Sequence, residues 1–184
     1  MLNRTILTAV LFLNITSLHA QTIKEYTQAI AADHTNAKNY ANRAIAYAKL
    51  GKIIDAISDL TQAIEIDPKN AIAYYLRGAI YYDQGFFPQA IADFSQAITI
   101  NPKVTKGYIG RALCYLRVNN SNEAISDLTK VLELNPKYTR AYFNRAVGYY
   151  QLKQYDKAWD DVHKAQSLGV TVNPKFIEAL KRAK

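Results

Sequence analysis

Apolar residues in this chain recur in two alternating helical patterns. Within residues 71–104, aromatic or small residues recur three or four positions apart, first as Tyr74, Gly78 and Tyr81 and then as Ala90, Phe94 and Ala97. That spacing places them on one face of an α-helix. Pro102 ends the second pattern, because the residue before a proline is disfavoured in the helical conformation. The stretch therefore predicts two helices joined by a short turn.

The two-helix pattern repeats every 34 residues. Two tyrosines, one arginine, one alanine and one aspartate recur in register in four consecutive units, and a proline closes three of them. The recurring residues are Tyr40, Tyr74, Tyr108 and Tyr142; Tyr47, Tyr81, Tyr115 and Tyr149; Arg43, Arg77, Arg111 and Arg145; Ala56, Ala90, Ala124 and Ala158; Asp59, Asp93, Asp127 and Asp161; and Pro68, Pro102 and Pro136. A period of this length predicts a helix-turn-helix solenoid, with repeats at 37–70, 71–104, 105–138 and 139–172.

The repeat resembles the tetratricopeptide repeat, and the resemblance covers residues 37–172. The family pattern has aromatic residues in slots 4 and 11, small residues in slots 8, 15, 20 and 27, and proline in slot 32. The second repeat supplies all of them, as Tyr74, Gly78, Tyr81, Gly85, Ala90, Ala97 and Pro102. The resemblance implies an all-α, right-handed helix-turn-helix solenoid that binds proteins or peptides.

Two turns depart from the family pattern. Asn119 and Lys153 replace the turn glycine. Asparagine tolerates left-handed backbone, whereas lysine adopts it less readily. We therefore expect the last turn to differ in shape from the others.

Residues 1–20 have the pattern of a secretory signal peptide. Arg4 provides the positive start, residues 6–13 form a short apolar run, and Ala20 is a small residue at a cleavage point. The pattern predicts export to the periplasm or the medium, with no stable membrane span after cleavage. Alternatively, residues 3–19 could form a degenerate first helix whose partner is the helix at 22–32.

Both ends of the repeat array are predicted to be covered by extra helices. Residues 21–36 contain one apolar stripe, at Ile23, Tyr26 and Ile30, which predicts an N-terminal capping helix. Residues 173–184 form the predicted C-terminal cap. Its helix is expected at 175–184, with apolar residues on one side and charged residues on the other. Such polar outer faces are typical of solenoid ends.

The arginine and aspartate series has two interpretations. Four copies at fixed spacing could form an anion-binding ladder. We prefer structural ion pairs between packed helices, because each residue is flanked by core positions and arginine presents a planar fork of donors. The residues are Arg43, Arg77, Arg111, Arg145, Asp59, Asp93, Asp127 and Asp161. The sequence leaves open whether the partners belong to one repeat or to neighbours.

The resemblance also implies a concave groove lined by the first helix of each repeat. The positions that match it are Lys38, Ala41, Asn42, Ile45 and Lys49; Ile72, Tyr75, Leu76, Ala79, Tyr82 and Asp83; Lys106, Ile109, Gly110, Leu113, Leu116 and Arg117; and Arg140, Phe143, Asn144, Val147, Tyr150 and Gln151. Five of these side chains are basic and only Asp83 is acidic. We therefore predict a groove with basic edges and an apolar or aromatic centre, suited to a peptide with acidic groups or a free C-terminal carboxylate. Ala41 and Ile45 occupy two slots of the set with which some family members grip such a carboxylate, so that specific activity is not expected.

Composition narrows the function further. The formal net charge is +8, but the basic residues are spread through every repeat. This distribution does not favour nucleic acid as a binding partner. No metal-ligand spacing, phosphate loop or nucleophile motif is present, so we predict no enzyme activity and no cofactor. Cys114 is the single cysteine and is predicted to be a buried small residue.

The sequence therefore predicts an exported interaction module or scaffold that binds a protein or peptide, and leaves the oligomeric state open. A structural protein that self-associates through its convex face or its ends is the alternative.

Overall fold

The computed structural model describes residues 4–183, with side chains from residue 17 onward. It contains ten α-helices: α1 (Arg4–Ala32), α2 (Ala37–Lys49), α3 (Ile53–Ile66), α4 (Ala71–Asp83), α5 (Phe87–Ile100), α6 (Thr105–Arg117), α7 (Ser121–Leu134), α8 (Thr139–Gln151), α9 (Tyr155–Ser167) and α10 (Pro174–Arg182). No strand occurs within this described part of the chain. Each predicted repeat holds one helix pair, and the all-α helix-turn-helix solenoid class is confirmed.

The chain divides into two compact units, and the division falls inside α4. The first unit extends to Ile80, and in it α1 lies against α2 and α2 against α3. The second unit begins at Tyr81, and in it consecutive helices from α5 to α10 contact each other. Contacts mainly between sequence neighbours are characteristic of a repeat protein.

Small residues let the paired helices approach closely, and aromatic rings fill the space around them. In the first unit Ala44, Ala56, Ala63 and Leu60 are buried, and Tyr47 packs against them while half-exposed. In the second unit two such clusters form, one around Leu128 and Val131 and one around Val162 and Leu180. This alternation of small and large residues explains why alanine and tyrosine recur in register.

The turns inside the repeats are alike, including the two that lack glycine. Asn119 and Lys153 have φ angles of 60° and 58°, close to the 72° of Gly51. The amide of Gln154 donates to the carbonyl of Tyr149 at 2.9 Å, as that of Phe86 does to Tyr81 at 2.8 Å. The expectation of a differently shaped last turn is therefore wrong. The same helix-ending hydrogen bond is made there, and Lys153 adopts the left-handed backbone that it requires.

The N-terminal helix α1 runs without a turn from Arg4 to Ala32. A degenerate first helix at 3–19 paired with a second helix at 22–32 would need a reversal of the chain near residue 20. The continuous helix excludes that alternative within the described residues. Across the part of the chain that the structure describes, none of the helices combines the length and the apolar character needed to cross a bilayer.

The C-terminal helix α10 begins one residue earlier than predicted and ends at Arg182. The Asn173 side chain accepts a hydrogen bond from the amide of Lys175 at 2.9 Å, and Pro174 occupies the first helical turn. Both features favour a helix start at this point. Leu180 is completely buried, so α10 covers the end of the second unit as a cap.

Candidate functional site

The recurring spacing of arginine and aspartate produces forked ion pairs within one repeat. Arg43 donates from Nε and Nη2 to the two carboxylate oxygens of Asp59, at 2.8 and 2.7 Å. The same geometry joins Arg111 to Asp127 and Arg145 to Asp161. The aspartates are buried, whereas the arginine side chains keep 15–21% of their surface exposed. For these three pairs, the first and second helices of the same repeat are the partners.

A hydroxyl that the sequence analysis missed completes each arginine site. The Nη1 atom of Arg145 donates to the Thr129 hydroxyl at 3.1 Å, on the last helix of the preceding repeat. The other hydrogen bonds of this kind are Arg43 to Thr27 at 3.1 Å, Arg77 to Thr61 at 2.9 Å and Arg111 to Ser95 at 3.0 Å. The hydroxyl residues are themselves 34 positions apart, and that period was the signal available in the sequence. We call this set of arginines, aspartates and hydroxyls the arginine ladder.

The charge and the hydrogen-bond donors of the ladder arginines are matched by other residues of the fold. The hydrogen bonds to Asp127 raise the pKa of Arg111 above its usual value, and partial burial opposes this shift. Its guanidinium carbon also lies 5.9 Å from the ring centroid of Tyr108 and 6.0 Å from that of Tyr115. Because Nε, Nη1 and Nη2 all have partners, the geometry favours structural pairs over an anion-binding ladder.

In the first unit, the groove positions border a cleft between α1 and α2. Lys49 lines this cleft of about 300 Å³ with Asn42 and Ile45, opposite Tyr26 and Leu18 of α1. Lys38 and Lys49 are exposed. Tyr75 and Leu76 of α4 are half-buried, and Leu76 packs against the alanine-rich core of this unit.

In the second unit, the basic groove positions are exposed beside half-buried apolar ones. Lys106, Arg117 and Arg140 are exposed, and Ile109 and Leu113 pack partly into the core around Leu128. We call these five positions on α6 and α8 the basic face. They provide three exposed positive charges and two half-buried apolar side chains on these two helices.

Aromatic rings lie beside Arg117, at the C-terminal end of α6. Its guanidinium carbon lies 5.0 Å from the centroid of the Phe87 ring, within the range of a cation–π interaction. The Tyr82 ring lies 5.8 Å from Phe87 on the same cluster.

The C-terminal helix covers part of the predicted groove. The Phe176 ring of α10 makes edge contacts at 5.5 Å with both Phe143 and Tyr150, which were predicted to line the groove. Both rings are half-buried in the core that contains Leu180, and Asn144 beside them is half-buried too. Phe143 and Tyr150 therefore support the cap. This contact could not be read from the repeat pattern, because Phe176 lies outside the four repeats.

Metal binding and thiol chemistry are two further activities to consider for this chain. Within the residues whose side chains the structure describes, no group of three or more His, Cys, Asp or Glu residues is arranged to hold a metal ion. Cys114 is fully buried in α6, as predicted. Burial raises the pKa of its thiol to about 12, which keeps it protonated and unreactive at neutral pH.

Four family models match the chain, and all of them describe tetratricopeptide repeats. They match residues 25–58, 46–85, 71–104 and 109–165. No curated protein sequence matches the chain.

Solved structures with the same fold include the protein MamA and a domain of RPAP3. A crystal structure of MamA is 25% identical, with 79% of this chain and 85% of that chain covered and a TM-score of 0.75. MamA from Desulfovibrio magneticus RS-1 is 16% identical, with 87% and 94% covered and a TM-score of 0.76, and that likeness concerns the fold alone. The first tetratricopeptide domain of Spaghetti (RPAP3), bound to the HSP90 peptide SRMEEVD, is 28% identical, with 63% and 92% covered and a TM-score of 0.62. From these matches and its helix pairs, the chain belongs to the tetratricopeptide repeat family.

Proposed function

We propose that this protein is an exported, non-enzymatic interaction module whose basic face holds an acidic segment of a partner protein. The observation that carries the proposal is the exposure of Lys106, Arg117 and Arg140 on the two helices that also carry the half-buried Ile109 and Leu113. Complementary charge attracts the partner and favours one orientation, and Ile109 and Leu113 supply apolar contact area.

The position of Arg117 favours an acidic partner. A guanidinium that lies 5.0 Å from the Phe87 ring centroid can donate hydrogen bonds from its planar edge to a carboxylate. Glutamate or aspartate side chains of an extended peptide fit this edge through paired hydrogen bonds. Lys106 and Arg140 add positive charge that attracts the same class of segment.

The likeness to the RPAP3 domain supports a peptide as the ligand. That domain binds SRMEEVD, a peptide with two glutamates and a terminal aspartate. In the present chain Ala41 and Ile45 stand where some family members place carboxylate-gripping side chains. We therefore propose that acidic side chains, rather than a free C-terminus, provide the recognised charge.

The export part of the proposal rests on residues 1–20. Their positive start, apolar run and Ala20 fit a signal peptide, and α1 does not fold back there as a repeat would. Leu18 keeps 65% of its surface exposed, so this residue contributes little to the packing of the first unit. The intact mass of the protein isolated from its host should correspond to a chain that begins at Gln21. Recovery of the chain with residues 1–20 attached would overturn export by cleavage.

The binding part is tested by capture of partners with a charge-reversed variant. We would combine Lys106→Glu, Arg117→Glu and Arg140→Glu in the C-terminally tagged protein and compare retained proteins by quantitative mass spectrometry. A matched control reverses three exposed lysines outside the basic face, Lys103, Lys137 and Lys164. The proposal predicts a partner held by the wild type and the control and lost by the first variant. Equal retention by both variants would refute the basic face, and recovery of only the tagged chain's own copies would favour self-association.

A further inference from the structure

The contact between Arg117 and Phe87 joins the second repeat to the third, and the corresponding contact one repeat later is built differently. Gln151 and Ser121 occupy the equivalent positions, 34 residues further along the chain. There the Ser121 hydroxyl donates to Oε1 of Gln151 at 2.6 Å, and Nε2 of Gln151 donates to the carbonyl of Leu116 at 3.3 Å. Neutral hydrogen bonds within the chain are therefore sufficient at this position, and the fold does not require a cation beside an aromatic ring.

The charge of Arg117 is available to a partner. The residue is exposed, and it pairs with no carboxylate among the residues whose side chains the structure describes. The ladder arginines differ in this respect, since Arg111 donates to both carboxylate oxygens of Asp127. An exposed guanidinium without a counter-charge attracts carboxylates and can bind one through two parallel hydrogen bonds.

Two aromatic rings lie next to this guanidinium, and all three residues belong to the second unit. The guanidinium carbon of Arg117 lies 5.0 Å from the Phe87 centroid, and the Tyr82 centroid lies 5.8 Å from that of Phe87. Phe87 and Tyr82 are half-buried, so each keeps some accessible surface. Asp83 follows Tyr82 in the chain and is exposed, which disfavours a second acidic residue beside these rings. An apolar or aromatic side chain suits the ring surface better.

We propose that Arg117, Phe87 and Tyr82 form a specificity site for one acidic residue and an adjacent aromatic or large aliphatic residue of the partner segment. The carboxylate accepts hydrogen bonds from Arg117, and the adjacent side chain packs against the rings of Phe87 and Tyr82. This inference rests on the proposed function, because it specifies which acidic segments the basic face accepts.

Two labelled peptides of equal charge test the apolar part of the site. SRMEFVD and SRMEAVD differ only in the residue after the glutamate, and their affinities for the full chain would be compared by fluorescence anisotropy. We expect SRMEFVD to bind at least about fivefold more tightly. Equal affinities would overturn the proposal. The proposed function fails separately, if the protein does not distinguish acidic peptides from neutral ones.

A double substitution tests whether this difference arises at the site. Phe87→Ser combined with Arg117→Gln copies the contact between Ser121 and Gln151 in the following repeat. We therefore expect the helicity measured by circular dichroism to be retained and the difference between the two peptides to be lost. A difference that survives the double substitution would overturn the proposal.

Tyr155→Ser is the matched control, because it removes another aromatic ring of the second unit. Tyr155 lies 5.7 Å from Tyr150, much as Phe87 lies beside Tyr82. This variant should keep the difference between the peptides, and its loss would contradict the assignment to Phe87 and Tyr82. Sedimentation without peptide tests a second copy of the chain as the occupant. Self-association that the double substitution abolishes, together with equal peptide affinities, would assign the site to that copy instead.

Discussion

The guanidinium of Arg111 holds the carboxylate of Asp127 through two parallel hydrogen bonds, from Nε to Oδ2 at 2.8 Å and from Nη2 to Oδ1 at 2.7 Å. Its remaining nitrogen, Nη1, donates to Ser95 on the preceding helix at 3.0 Å. A single arginine therefore joins three helices, α5, α6 and α7. Because this arrangement recurs with the repeat period, it links the packing of one repeat to that of the next.

Removal of one aspartate should be costly. Asp127→Ala leaves Arg111 half-buried without its counter-charge, and we expect a loss of about 3 kcal/mol in the free energy of unfolding. Chemical denaturation followed by circular dichroism measures this loss. The exposed pair of Lys130 and Glu133 provides the control, since Glu133→Ala should cause no measurable change. Equal effects of the two substitutions would contradict a structural role for the ladder.

The hydrogen bond from each arginine to a hydroxyl should contribute less to the free energy of unfolding than the ion pair does. Thr129→Val keeps the shape of the side chain but removes the acceptor of the 3.1 Å bond from Arg145 Nη1, and we expect a loss of about 1 kcal/mol. Thr99→Val is the matched control, because the Thr99 hydroxyl donates to the carbonyl of Ser95 in its own helix. If both variants unfold at the same denaturant concentration, the bond between repeats adds nothing to stability.

Glycine in place of Lys153, in the left-handed turn, should stabilise the protein. A side chain at a φ of 58° carries a steric cost that glycine does not have, although glycine also gains entropy in the unfolded chain. We expect Lys153→Gly to raise the free energy of unfolding by about 0.5–1 kcal/mol. Lys130→Gly, inside α7, should instead lower it by about 1 kcal/mol, because glycine is unfavourable in a helix interior. A destabilised Lys153→Gly variant would show that the lysine makes a compensating contact.

The buried thiol of Cys114 should make stability depend on alkaline pH. Burial raises its pKa from 9.0 to about 12. Between those values the folded chain keeps a proton that the unfolded chain has lost, so this contribution to stability is complete below pH 9 and falls as the pH rises toward 12. The difference in unfolding free energy between the wild type and Cys114→Ala, measured at several pH values, isolates this effect from other titrating groups. At pH 8, iodoacetamide should label the thiol only after denaturation, and rapid labelling of the native protein would contradict the burial.

The sequence predicted most of the fold because each repeat restates it. The tyrosines that recur every 34 residues, from Tyr40 to Tyr142, located the helix pairs. Pro102 and the equivalent prolines located their ends. The predicted Arg–Asp pairing could not be assigned to one repeat or two, because each arginine is 16 residues from the aspartate of its own repeat and 18 residues from that of the preceding repeat, and both separations join neighbouring helices. Only the geometry distinguishes them, and it places Asp161 beside Arg145 within one repeat.

Residues outside the periodic pattern were harder to predict. Phe176 follows the last repeat, so nothing in the sequence indicated that its ring packs on Phe143 and Tyr150. The shape of the turn at Lys153 was wrongly predicted from the preference of lysine, since the hydrogen bonds of the surrounding helix pair outweigh that local preference. The hydroxyls at Thr61 and Thr129 were periodic but overlooked, because serine and threonine on a helix commonly bond only their own backbone.

The central claim, that the basic face recognises acidic side chains, is tested most directly by fluorescence anisotropy with a labelled acidic peptide. SRMEEVD and a neutral counterpart, SRMQQVN, would be titrated with the wild type, the variant with Lys106, Arg117 and Arg140 changed to glutamate, and its matched lysine control. We expect the wild type and the control to bind the acidic peptide at least about tenfold more tightly than the neutral one, with an affinity that falls as salt is raised. The charge-reversed variant should lose this preference. Equal affinities for the two peptides, or an unchanged preference in the charge-reversed variant, would contradict the account.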